Sequence, residues 1–97
     1  MDKDTEMLKK MGNALVDLEV KYRSSSLSDR VAMRPVLQEL LEDYAAYQIR
    51  LLKEGVITTD EELQEMTEIR KEIDSAAKKQ DLLKAIARTT AFIATKI

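Results

Sequence analysis

The chain contains no cysteine, no histidine and no tryptophan among its 97 residues. The first absence removes disulfides, thiolate metal sites and cysteine nucleophiles. The second removes imidazole ligands and every catalytic triad built on histidine. Glycine occurs only at Gly12 and Gly55, and proline only at Pro35. So little punctuation leaves few places for tight turns and favours long helices. Four side chains are aromatic, Tyr22, Tyr44, Tyr47 and Phe92, so a core must come from Leu, Ile, Val, Ala and Met. Such residues suit helix seams better than the interior of a β-sandwich. No run approaches the roughly 20 apolar residues that span a bilayer. The opening Met-Asp-Lys-Asp-Thr-Glu also lacks the basic and apolar regions of a signal peptide. A soluble, cytoplasmic protein with no membrane partner is therefore expected. The net charge of −2 is too small to draw the whole chain to nucleic acid.

What is present is helical periodicity. Leu8, Met11, Leu15, Leu18 and Tyr22 are spaced 3, 4, 3 and 4, which predicts a first helix over about 4–23 with one buried stripe. Gly12 lies within it, either to admit a close neighbour or by chance. The serine run Ser24–Ser26 and Ser28 breaks the pattern, since serines compete for backbone hydrogen bonds. Ser28 is the expected cap of a second helix over about 29–53, in which Pro35 should cause a kink or a shortening. Leu37, Leu40, Tyr44, Tyr47 and Leu51 form its main stripe. Leu41, Ala45, Gln48 and Leu52 run beside them as a second, which predicts a central helix covered from two directions. Gly55 suits a helix C-terminus, and Thr59 with Glu62 reads as a capping box opening the next helix. So short a link predicts that the second and third helices are antiparallel neighbours.

From Asp60 to Ile97 there is neither glycine nor proline, and the spacing predicts one continuous helix over about 60–96. Its stripe thins at Ala76–Gln80, where Asp74 or Ser75 offers a cap for a break. The expected fold is all-α: a three-helix antiparallel bundle whose long C-terminal helix overhangs its neighbours and is completed by oligomerisation. The overhang would carry Leu83, Ile86, Phe92, Ile93 and Ile97 as interface anchors in a coiled-coil-like contact. Charge agrees: residues 60–74 hold seven acids against two bases, and residues 75–97 five bases against Asp81. Two such helices laid antiparallel match acid to base at both ends, although macrodipole complementation alone produces the same polarity.

Constellations that could carry chemistry are weak. Glu61, Glu65, Glu68 and Glu72 align on one helical face, but without histidine or the alternating oxygens and glycine of a calcium loop they read as a solvated face. Lys78, Lys79, Lys84 and Arg88 point to several sides with no interleaved aromatics for base stacking. The helix-turn-helix outline of Leu51–Ile69 opens its second helix with three acids, which DNA would repel. Tyr44 and Tyr47, with Arg50 nearby, suit a core rim better than a ligand frame. No phosphate loop or nucleophile elbow is present. The expectation is a protein that is not an enzyme, with no catalytic, cofactor-binding or metal-binding residues. Its expected role is a small interaction or assembly module that associates with itself, as a homodimer or higher. The alternative is a monomeric regulator, inhibitor or adaptor binding one heterologous protein, and an accessory to nucleic acid ranks third.

Overall fold

Local chemistry sets the first boundary. The Asp2 carboxylate accepts the Thr5 amide at 2.8 Å and opens helix α1, Lys3–Arg23, by satisfying one of the donors a helix start leaves unpaired. Ser26, two residues before the expected Ser28, caps α2, Leu27–Glu54. Pro35 interrupts nothing: α2 runs unbroken for 28 residues. The proline lies on the exposed side, where the Val31 carbonyl it leaves without a helical donor can turn to water. Gly55 closes the helix with φ 74°, a conformation that costs a residue without Cβ little. Thr59 and Glu62 form the expected capping box, each side chain bonding the other's backbone, and start α3, Asp60–Ser75. Helix α4 is Lys79–Ala94. These boundaries come from a computed structural model that describes residues 2–97.

The expected continuous helix over 60–96 is therefore two helices, and the described residues form four rather than three. Ala76 and Lys78 adopt extended backbone conformations between α3 and α4, and α4 folds back. Contacts across the bundle show how. Lys3–Asp60, Lys10–Thr67 and Lys21–Ala76 climb α1 and α3 together, so those helices are parallel and adjacent. Arg50 meets the Lys96 carbonyl at 3.3 Å, while Asp29 lines a cavity with Lys79 and Leu82 at the other end; α2 and α4 are parallel neighbours too. The α1–α2 and α3–α4 neighbours are antiparallel, as Tyr44–Leu8 and Arg88–Glu72 show. The cyclic order is thus α1, α2, α4, α3, with α2 and α3 across the diagonal. The expectation that they are direct neighbours fails because Gly55–Thr59 crosses the end of the bundle.

The body measures 40 × 22 × 18 Å. Its long axis matches α2 alone, whose 28 residues rise about 42 Å at 1.5 Å each, so no helix overhangs. The core runs the length of the bundle and includes Met7, Met11, Leu18, Met33, Leu40, Met66, Ile69, Ile73, Ile86 and Ile93, all essentially inaccessible. Phe92 and Tyr47 are its only buried aromatics. Unbranched methionines fill the irregular gaps that few rings leave open. Among the described residues no helix is long and apolar enough to cross a membrane.

Candidate interaction surface

The five expected anchors do not form an outer face. Ile86, Phe92 and Ile93 are buried in the chain's own core, Leu83 packs half-buried against it, and Ile97 is partly exposed beside Ile49. One feature buries them: the turn at Ala76–Lys78 lays the apolar face of α4 on α2 of the same chain. Charge complementarity is consumed in the same way. Arg88 pairs with Glu68 and Glu72, and Lys96 with Glu62, so the acid-to-base match expected between two copies is made within the α3–α4 hairpin.

Apolar exposure instead concentrates on the other half of the molecule. Among the described residues ten large hydrophobic side chains are substantially exposed, and eight of them, Val16, Val20, Leu27, Val31, Val36, Leu41, Ile49 and Leu52, belong to α1 or α2. None lies on α3 or α4. The second α2 stripe, expected to be covered, is open: Leu52 is 87% and Leu41 41% exposed.

Between α1 and α2, at the end nearest the serine turn, lie two adjoining cavities. The larger, about 350 Å³, is lined by Glu19, Tyr22, Arg23, Arg34, Leu37, Gln38 and Leu41. The smaller, about 120 Å³, shares Tyr22 and Arg34 and adds Leu27, Arg30 and Val31. The rim is cationic. Arg23 has a long contact with Glu19 at 3.9 Å, whereas Arg30 and Arg34 form no ion pair among the described residues, and the buried Nε of Arg30 has no hydrogen-bond partner. Arg30, half-buried at the groove, thus brings a positive charge with no acidic partner among the described residues, which an incoming carboxylate would complement. Of the groove residues the sequence singles out Tyr22, Leu37 and Leu41 on helical stripes, whereas Arg30, Val31 and Arg34 carry no signal of their own. Their convergence depends on how α1 and α2 cross.

Glu61, Glu65 and Glu68 are exposed and Glu72 half-buried, with Glu68 and Glu72 engaged by Arg88. Among the described residues no cluster of three or more potential ligands could hold a metal ion. Lys78, Lys79 and Lys84 are exposed; Lys78 and Lys79 line one cavity and Lys84 another. Tyr44 donates to the Leu8 carbonyl at 3.4 Å. Tyr47 is wholly buried, its hydroxyl without a partner. Burial first, then the charges of Asp4, Tyr44 and Glu62, push this phenol up to about 12. On the α1–α3 side, the Arg70 hydrogen bond at 2.8 Å holds Asp17 below its ordinary value. Burial, followed by the nearby Asp17, raises Asp74.

Comparison with known proteins adds no relative: no family model, no curated protein and no solved structure matches the chain.

Proposed function

We propose that this chain is a non-catalytic protein-protein interaction module that receives an acidic amphipathic helix of a partner protein in the groove between α1 and α2. The observation that carries this reading is the one-sided apolar exposure, because α3 and α4 display no large exposed hydrophobic side chain while α1 and α2 display eight. A groove between two helices accepts a third helix through side chains spaced i, i+3 or i+4 and i+7. Leu27, Val31, Leu37, Leu41 and Tyr22 would meet that apolar stripe. Arg23, Arg30 and Arg34 against the single Glu19 give the rim a balance of +2, which favours carboxylates on the flanks of the guest. Steering by the same charges would speed encounter and make it salt-sensitive.

The test uses two synthetic 20-residue amphipathic helices with the same leucine stripe, one flanked by Glu and one by Lys, titrated by fluorescence anisotropy and amide NMR. The expected result is preferential binding of the Glu peptide, with shifts centred on Tyr22, Leu27, Val31, Arg34, Leu37 and Leu41. Affinity should drop about tenfold or more in Arg34→Glu, a loss of at least about 1.4 kcal/mol. Equal binding of both peptides, or of neither, removes the acidic-helix assignment.

A further inference from the structure

The break between α3 and α4 is made of residues that ordinarily continue a helix. Ala76, Ala77 and Lys78 include no glycine, proline or asparagine, and Ala and Lys rank among the strongest helix formers. Neither cap residue, Ala76 or Lys78, supplies a side-chain cap, and the only local help at the start of α4 is Asp81 in its first turn. The N-cap of α4 is Lys78, which offers no side-chain acceptor to the first-turn amides, and Lys78 and Lys79 place two positive charges at the positive end of the helix dipole. The end of α3 has one tightened bond, from the Ala76 amide to the Ile73 carbonyl at 3.2 Å. The carbonyls of Asp74 and Ala76 are instead taken by Lys21 of α1, whose ammonium donates to both at 2.7 Å. In an unbroken helix those two carbonyls would receive the amides of Lys78 and Gln80. Lys21 stands in for both. A cavity of about 260 Å³ adjoins the turn, lined by Lys21, Ser24, Ser25, Asp29, Leu82 and the turn itself, so only Ala76 of the connection is packed into the core.

We propose that Ala76–Lys78 is a hinge through which α4 exchanges between two copies of this chain. When the hinge becomes helical, α3 and α4 join into one helix over residues 60–94, about 52 Å long at 1.5 Å per residue. That exceeds the 40 Å body and carries α4 beyond its own α2. Its buried face, Leu82, Ile86, Phe92 and Ile93, then has one surface of matching shape, the vacated α2 groove of a second copy. The pairs Arg88–Glu72 and Lys96–Glu62 re-form between chains, because the surfaces are identical. Closed and exchanged forms differ chiefly at the hinge: Lys21 loses its two carbonyls, and three residues gain helical hydrogen bonds. This inference is independent of the α1–α2 groove, which survives exchange intact.

The experiment refolds the wild type, Lys21→Met and Lys79→Pro at about 1 mM and at about 10 µM, then measures mass by light scattering. Lys79 is the first residue of α4 and follows an extended Lys78, so proline there suits the closed form but breaks a continuous helix. Expected are species of twice 11.1 kDa in the wild type at high concentration, a several-fold larger dimer fraction in Lys21→Met, and at least a tenfold smaller one in Lys79→Pro. Spin labels on Lys71→Cys and Ala87→Cys in one chain then report connectivity. Both positions are exposed, and the chain has no other cysteine. In an exchanged dimer they lie about 24 Å apart along one straight helix, in addition to the short interchain separation. A monomer at every concentration in wild type and Lys21→Met overturns the proposal. So does a dimer unaffected by Lys79→Pro, or one lacking the longer distance.

Discussion

Lys96, just beyond α4, is buried with its ammonium against the carboxylate of Glu62 in the first turn of α3. The same ammonium donates to the Ile57 carbonyl at 3.0 Å, and Glu62 accepts the Thr59 amide at 2.9 Å. One ion pair therefore ties the end of α4, the α2–α3 crossing and the α3 capping box together. Burial by itself would raise the Glu62 carboxyl, but the hydrogen bonds from Lys96 and Thr59 outweigh it and hold the group below its ordinary value of 4.5. A lowered carboxyl stabilises the fold above the unfolded value and loses that contribution as pH falls through the folded one. Lys96→Met should cost about 1–3 kcal/mol at pH 7, since it leaves a partly buried carboxylate short of its partner. It should also remove this group's share of the acid-induced loss. Denaturant unfolding of both proteins at pH 7 and pH 3 measures the two effects.

Gly12 and Tyr44 show a different kind of contact. A Cβ built on Gly12 would stand 3.3 Å from the Tyr44 hydroxyl, so the glycine does admit a close neighbour. That neighbour is the tip of a side chain. Gly12→Ala gains helix propensity of up to about 1 kcal/mol and must displace a long hydrogen bond by a few tenths of an ångström. A small net gain is expected in the wild-type background. In Tyr44→Phe, where no oxygen meets the new methyl, Gly12→Ala should approach the full propensity gain. A double-mutant cycle by thermal unfolding reads the difference; equal gains in both backgrounds would mean that the contact has no energetic consequence.

The features legible in the sequence are those with local causes. The Thr59–Glu62 box, the Gly55 stop and the serine turn each depend on residues within four positions, and all three mark real boundaries. The break at Ala76 shows in the sequence only as a thinning stripe, with Asp74 or Ser75 as the expected cap where the structure has Lys78, because its carbonyl cap is Lys21, 55 residues earlier in the chain. The antiparallel match of acids and bases was also legible, but the same pairing geometry serves a hairpin within one chain or two chains side by side. Periodicity likewise reveals that Leu41, Ala45 and Leu52 share a stripe without saying whether another helix covers it.

Burial separates two apolar sets that composition cannot tell apart. Ile93 is fully buried and Leu52 is 87% exposed. Ile93→Ala should destabilise by about 2–5 kcal/mol, combining lost transfer energy with a cavity, whereas Leu52→Ala should stay within about 0.5 kcal/mol. Phe92→Asp with Ile93→Asp, which the overhanging-helix expectation would use to make a monomer, should instead unfold the chain. Circular dichroism with a denaturant series distinguishes these outcomes, and a folded double aspartate variant would contradict the packing of α4.

Tyr47 provides the alkaline counterpart of Glu62. Its hydroxyl is buried and unpartnered, and burial, followed by the charges of Asp4, Tyr44 and Glu62, pushes it up to about 12. Below the ordinary value of 10 the phenol is neutral in folded and unfolded chains alike. Between 10 and 12 the unfolded chain ionises while the folded one cannot, so this group makes the fold less stable as pH rises. Replacing it with phenylalanine removes both that loss and an unsatisfied buried hydroxyl, whose desolvation costs about 1–3 kcal/mol. Tyr47→Phe should therefore match or exceed the wild type in stability at pH 7 and surpass it clearly at pH 11. The wild-type absorbance titration near 295 nm should show Tyr47 ionising last, after Tyr44, which burial also raises, and that last step should vanish in the variant. If the missing step is instead an early one, Tyr47 is reached by water and its hydroxyl is not sealed in the core.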